Sequence, residues 1–362
     1  MHKISLMTFA AVAALAAGAA RADSTVTLYG LIDVNVTRYM AGSKSGAEDN
    51  WAVNDGVVNG LNGSRWGIKT VEDLGGGLKA NVVAEAGLNA DTGTLGQGGL
   101  AFGRQVYVGL SDAKLGEIRV GRQYILEDSV MWQSDPFGNA LSLNPGTAVT
   151  NKGKSLPFWL NAPRANNIVQ YRTPDFSGFS MQFQIAPGEG TADRFHGIGG
   201  IYQAGAVYVG ASYEWNKPRN GGDDKSNESL TIAANYNFGP VKLLGGVQRN
   251  RNLTTTSGNG AFTGTNLTVA TDTSFVAHDT DNYTVGFEAP VGNWTFGGNY
   301  SNVKYKNDGG SASATLGKAG LGVRYGFSKM TFLYASASMS TGDLKDYIAQ
   351  ERTVQLGLRK AF

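Results

Sequence analysis

Apolar and polar residues alternate with a period of two in one stretch after another of this chain. From Leu230 the apolar positions are Leu230, Ile232, Ala234, Tyr236 and Phe238, with Thr231, Ala233, Asn235 and Asn237 between them. Val207, Val209, Ala211, Tyr213 and Trp215 repeat the pattern against Tyr208, Gly210, Ser212 and Glu214. So do Ala319, Leu321, Val323, Tyr325 and Phe327 against Gly320, Gly322, Arg324 and Gly326. A period of two predicts strands with one apolar face and one small or polar face. A soluble sandwich would bury the apolar face, whereas a membrane barrel would turn it to lipid and the polar face to a watery lumen. The runs extend over roughly 9–11 residues, the length that crosses a bilayer at a tilt, whereas sandwich strands are nearer 5–6. Aromatics collect at the strand ends, as an interfacial girdle requires.

The connections alternate short and long. Short ones fall at 73–77, 112–116, 174–178, 203–206, 237–240, 289–293 and 326–329, nearly all with Gly, Pro, Asn or Asp, which suit tight turns. Long ones fall at roughly 41–60, 89–99, 126–163, 187–197, 217–228, 251–281, 306–314 and 341–350. Seven short and eight long connections predict sixteen antiparallel strands with both termini on the short-turn side, the rhythm of an outer-membrane barrel. Strand signals are weakest near 100–111 and 198–204, so the count stands at sixteen plus or minus two.

The first 22 residues lie outside this pattern. Lys3, an apolar stretch from Thr8 to Ala20, and Ala20-Arg21-Ala22 form an export signal with a small-x-small cleavage site. The expectation is a leader over 1–22 and one barrel over 23–362. Of 31 Lys and Arg, the leader takes Lys3 and Arg21, which leaves 29 against 29 Asp and Glu and a mature net charge of zero. A near-neutral chain without a basic run argues against nucleic acid as partner. Cysteine is absent and His2, His196 and His278 are the three histidines, which removes thiol chemistry and most histidine chemistry. Gly153-Lys154-Ser155 is a poor phosphate loop, because Ala148 stands where its first glycine belongs. Neither a zinc-protease motif nor a nucleophile elbow occurs. We therefore expect no enzyme, metal or cofactor.

Several motifs, in order, resemble the general diffusion porins of beta-proteobacteria across essentially the whole mature chain. DSTVTLYG from Asp23 is similar to that family's first strand; GSRWGIK from Gly63 and EDLGGGLK from Glu72 are similar to its second strand, turn and third strand. FGRQVYVGL from Phe102 and GEIRVGRQY from Gly116 are similar to strands four and five. The carboxyl terminus ends on Phe362, with Val354, Leu356 and Leu358 in one parity, like the strand such proteins show to the assembly machinery; Lys360 departs from the usual apolar residue. The resemblance implies a homotrimer in the outer membrane of a Gram-negative bacterium, among lipid and lipopolysaccharide. It also implies a water-filled channel for ions and small hydrophilic solutes, narrowed by an inward third loop. Small outward residues Gly30, Ala80, Ala84 and Ala86 would allow close protomer contact.

Parity then sorts the charges. Trp66 and Ile68 face lipid, so Arg65 and Lys69 face inward; Val169 and Tyr171 place Arg164 and Arg172 inward, and Ile118 and Val120 do the same for Arg119. Arg104 shares parity with Val106, and only the resemblance assigns it inward. By resemblance Arg65, Arg104 and Arg164 match the basic wall of the constriction; the alternative is a rim arginine on lipopolysaccharide phosphate. The 126–163 loop supplies Glu127, Asp128 and Asp135 as the opposing acidic wall, with Asp135 to Gly138 similar to the tip of the inward loop; the alternative is a solvated loop charge. The inward arginines predict a weak anion preference. A substrate-specific channel with an aromatic track, a surface adhesin and a soluble binding protein remain as competing readings.

Overall fold

In the computed structural model, residues 24–138, 140–160, 163–190, 194–217, 227–253 and 267–362 are described; the leader assigned to 1–22 lies outside them. Sixteen antiparallel strands close into a barrel. We number them β1 (Ser24–Met40), β2 (Arg65–Gly75), β3 (Leu78–Asn89), β4 (Gln105–Asp112), β5 (Gly116–Tyr124), β6 (Arg164–Arg172), β7 (Phe179–Ala186) and β8 (Arg194–Ala204). The second half is β9 (Val207–Lys217), β10 (Asn227–Asn237), β11 (Lys242–Arg251), β12 (Asp279–Val291), β13 (Trp294–Lys306), β14 (Ser313–Ser328), β15 (Thr331–Thr341) and β16 (Arg352–Ala361).

Closure is staggered, as strand tilt demands. The lower half of β1 pairs β2 from Ser24–Glu72 to Leu31–Arg65, and its upper half pairs β16 from Leu31–Ala361 to Met40–Arg352. The last residue completes the seam, since Gly30 N donates to Phe362 O and Phe362 N to Gly30 O. A short strand, Asn50–Asp55, folds back onto the upper half of β1.

The alternation read from the sequence is the inside–outside division. Leu28, Val108 and Leu356 are more than half exposed on the outer wall, while Thr231, Ser229 and Glu214 are buried within the lumen. Aromatic pairs gather at the short-turn edge: Trp294 and Tyr325 lie 4.7 Å apart, Tyr325 and Phe327 5.0 Å, and Tyr236 and Phe238 4.5 Å. The β2–β3 turn is tight because Gly76 and Gly77 take φ of 63° and 95°, values that cost glycine nothing. Among the described residues the one α-helix is α1, Leu126–Met131, inside the long loop after β5.

Two of the four small outward positions do not form an open patch. The Phe362 ring lies where a Gly30 side chain would stand, and Ala86 is fully buried opposite Trp66, whose ring meets Phe102 edge-on at 6.1 Å. Ala80 and Ala84 remain at the surface of β3, half-buried.

Candidate functional site

The loop between β5 and β6 enters the lumen and packs against the wall of β8 to β15. Its apolar part is a core inside the barrel: Met131, Leu156, Phe158 and Trp159 meet Val303 and Tyr305 of β13, Ala314 and Leu316 of β14, and a hairpin of Leu267–Val269 with Phe275–Ala277. Asn151 ties the same loop to that hairpin, its side chain donating to Ala270 O at 3.0 Å and accepting from Ala270 N at 2.6 Å. At the mouth Lys44 joins Asp272 and Tyr347 at 3.1 and 3.0 Å. That side of the lumen is filled, and the open path runs along the opposite wall.

The loop can lie this close because the wall beneath it is glycine. A Cβ on Gly246 would stand 2.7 Å from Ser134, and one on Gly297 would stand 2.7 Å from the Phe137 ring. Gly320 and Gly322, inward on β14, face Leu143 and Leu141 in the same way. Inward glycine runs were visible in the sequence as the small face of these strands, and they mark the loop's track; sequence reasoning used only their parity.

The open path consists of two connected spaces of about 350 and 270 Å³. Both are lined by Arg65, Tyr124, Asp128 and Trp132, so these four residues mark where the two spaces meet. Arg104 and Arg164 line the upper space, and Arg119 and Gln123 the lower one. Tyr124 gathers the arginines: its hydroxyl accepts from Arg104 at 2.7 Å and from Arg164 at 2.6 Å. The Arg164 guanidinium also lies 4.3 Å over the Tyr124 ring. Arg65 donates to Gly63 O at 2.9 Å. A buried carboxylate offsets one of the three charges, since Arg104 Nε donates to Glu85 Oε1 at 2.6 Å. Tyr29 fixes the other Glu85 oxygen at 3.1 Å.

Two of the arginines reach the lumen by routes that alternation does not supply. Arg104 precedes β4, where its backbone N–H donates to Glu85 O just before regular pairing begins at Gln105. In β6 a bulge between Ala165 and Ile168, with Asn167 at φ 58°, puts both Ala165 and Ile168 on the buried face. Parity therefore reverses there, and Arg164 lines the path as the first residue of the strand. Such irregularities gather at barrel rims.

The remaining residues separate. Arg119 faces the lower space, bound to Glu117 at 2.8 Å and lying 4.9 Å over the Tyr107 ring. Lys69 and Arg172 are exposed further down β2 and β6 and line neither space. Of the acids, Asp128 alone lines the path. Glu127 does not face it: the side chain is fully buried, accepting from Gln248 at 2.7 Å and from Ser229 at 3.3 Å, while its backbone N–H donates to Glu214. Burial, with Glu214 and Asp128 near, pushes the Glu127 carboxyl well above the usual range. Asp135 is also turned away, accepting from Asn299 of β13 at 2.6 Å. Adjacent helical residues point to different faces, so Glu127 anchors α1 while Asp128 looks across the path.

A third boundary was missed in the sequence. Residues 56–63 turn into the lumen and line the upper space beside Arg65 and Arg104. Asp33 and Asp55 hold them: Asn62 N donates to Asp33 at 2.8 Å and Val57 N to Asp55 at 2.9 Å. Gly60 O accepts from Leu141 N of the long loop, which joins the two inward segments. The spacing Gly56, Gly60, Gly63 beside Asp55 was the available signal.

The charge balance of the upper space gives one prediction. Three guanidiniums face Glu85 in the wall and Asp128 across the path. Glu85→Gln keeps the size of the side chain and removes the offset, so zero-current potentials should move towards stronger anion preference. An unchanged potential, with normal heat-modifiable mobility on gels, would show that Glu85 does not set the charge.

A profile of the Gram-negative porin family matches residues 9–344. The chain is 32% identical to an outer membrane porin protein of Bordetella pertussis over 96% of both chains. It is 34% identical to the outer membrane porin protein 32 of Delftia acidovorans, over 69% of this chain and 70% of the relative. Among solved structures, the anion-selective porin from Comamonas acidovorans superposes with a TM-score of 0.71 at 26% identity, covering 94% of this chain and all of the other.

Proposed function

This chain belongs to the Gram-negative porin family, and from that premise we propose that Arg65, Arg104 and Arg164, facing Asp128, set the selectivity of its pore. The protein is a diffusion channel of the outer membrane. Its family and relatives are channels, not enzymes. Ions and small hydrophilic solutes pass along the one side of the lumen that the inward loop leaves open.

The observation that carries the selectivity reading is the set of residues shared by the two open spaces. Arg65 of the wall and Asp128 of the loop line both spaces, and Arg104 and Arg164 join Arg65 in the upper one. Clustered like charges in a narrow, low-dielectric passage raise the local concentration of counter-ions, and charged rings set ion preference. The excess of cations over carboxylates is one, so the preference is for anions and is weak, in keeping with the structural neighbour described as anion-selective. Charges on opposite sides of the path also create a transverse field that orients dipolar solutes. Liposome swelling tests the channel reading: small neutral sugars should enter at rates that fall steeply with size, whereas vesicles that swell no faster than protein-free ones would refute it.

The same reading takes the protomer to a homotrimer joined through the β1–β3 side. Val26 and Leu28 are about two-thirds exposed there, and Ala80 and Ala84 leave room for a neighbouring wall. Native mass measurement in mild detergent should give three copies, and a persistent monomer would refute it. The signal over 1–22, the recognition of Phe362 by assembly machinery, and contact of outer-rim cations such as Arg249 with lipopolysaccharide phosphate belong to the same proposal.

A further inference from the structure

Behind the inward loop, next to the upper open space, lies a small, partly open cavity of about 60 Å³. It sits between the back of the loop, at Ser142 and Thr147, and the inner faces of β14 to β16 and β1. Lys318 of β14 lines it and is 6% exposed. Its ammonium donates to Asn144 O at 3.0 Å and lies 5.2 Å from the centre of the Phe158 ring. An ammonium has three donors. The other lining groups are hydroxyls and amides, among them Ser338, Ser340, Thr353 and Gln350, and no carboxylate lines the cavity. The acid that acts on Lys318 from outside the cavity is Asp135, which is engaged by Asn299.

A cation removed from water costs several kcal/mol unless counter-charge and hydrogen bonds offset it, and Lys318 has one carbonyl, one ring and the distant, engaged Asp135. The cavity offers the remedy, because by this measure of volume one water needs only about 10–15 Å³. That admits a small anion together with water.

We propose that this cavity is a binding site for a small monovalent inorganic anion, held against Lys318 Nζ and the surrounding hydroxyls. The anion completes the contact between the back of the loop and the wall. The cavity adjoins the upper open space at Asn59, Thr147 and Ala148, and detection of the bound anion itself, not conduction, decides the proposal.

Crystals of the full-length protein soaked in bromide test the site by anomalous scattering. The expected result is a bromide peak within hydrogen-bonding reach of Lys318 Nζ that is lost in Lys318→Met. Bromide confined to the exposed surface, with only water in the cavity, would overturn the proposal. Thermal unfolding gives a second readout. Chloride should raise the unfolding temperature of the unaltered protein above its value in gluconate, a bulky organic anion, at equal ionic strength, and Lys318→Met should lose that difference. An equal difference in both proteins would overturn the proposal.

Discussion

Replacing Arg65 and Arg164 with serine together will shift the zero-current potential in a potassium chloride gradient from weak anion preference to cation preference. The two changes remove two of the three guanidiniums that line the upper space. Arg104 remains, offset by Glu85 at 2.6 Å, and with Asp128 still on the path the carboxylates then outnumber the guanidiniums. Local balance moves from one excess cation to one excess carboxylate. The Debye length is about 8 Å at physiological ionic strength, comparable with the width of such a passage, so the shift should be larger in dilute salt and smaller in concentrated salt. The barrel should form as before, because neither side chain is part of the strand ladder. A potential that does not move would place the selectivity elsewhere along the lumen.

The second large effect concerns the loop. Trp159 is fully buried inside the barrel, among Leu156, Leu267, Val303 and Leu316. Truncating a buried aromatic to alanine typically costs about 3–5 kcal/mol. Here the loss falls on the contact between loop and wall and not on the strands. Trp159→Ala should therefore leave the β-rich circular dichroism spectrum intact while single-channel conductance rises and becomes heterogeneous. Conductance identical to the unaltered channel would mean that the polar ties of Asn151, Glu127 and Asp135 suffice to hold the loop.

Most of the barrel was legible in the sequence, because lipid and water impose a strict alternation on each strand. The short–long rhythm located the seven turns and eight loops, and Leu230 to Phe238 showed its two faces without help from tertiary structure. Alternation failed where the backbone departs from regular pairing. Arg104 sits before its strand, outside the ladder that the period reports, and Arg164 starts its own strand just ahead of a bulge. Arg104 was placed inward through family resemblance alone. Arg164 was placed inward through a parity that the bulge breaks. The acids were harder still. Glu127 and Asp128 are neighbours on one helical turn, and which one faces the path depends on where Gly197 and Gly199 let Leu126 settle against β8. Asp135 was read from the family's loop tip, and Asn299 captures it. The inward segment 56–63 was taken for part of an outer loop, because its holding contacts to Asp33 reach back across some thirty positions.

The central claim is that a water-filled path crosses the barrel and that its basic wall gives it an anion preference. The most direct test is the zero-current potential of the purified, unaltered protein in a planar bilayer, measured across a tenfold potassium chloride gradient at low and at high mean salt. The account predicts steady ohmic conductance, a potential whose sign reports chloride as the more permeant ion, and a magnitude that declines as salt rises. Absence of conductance, or a potential of the opposite sign at low salt, would contradict it.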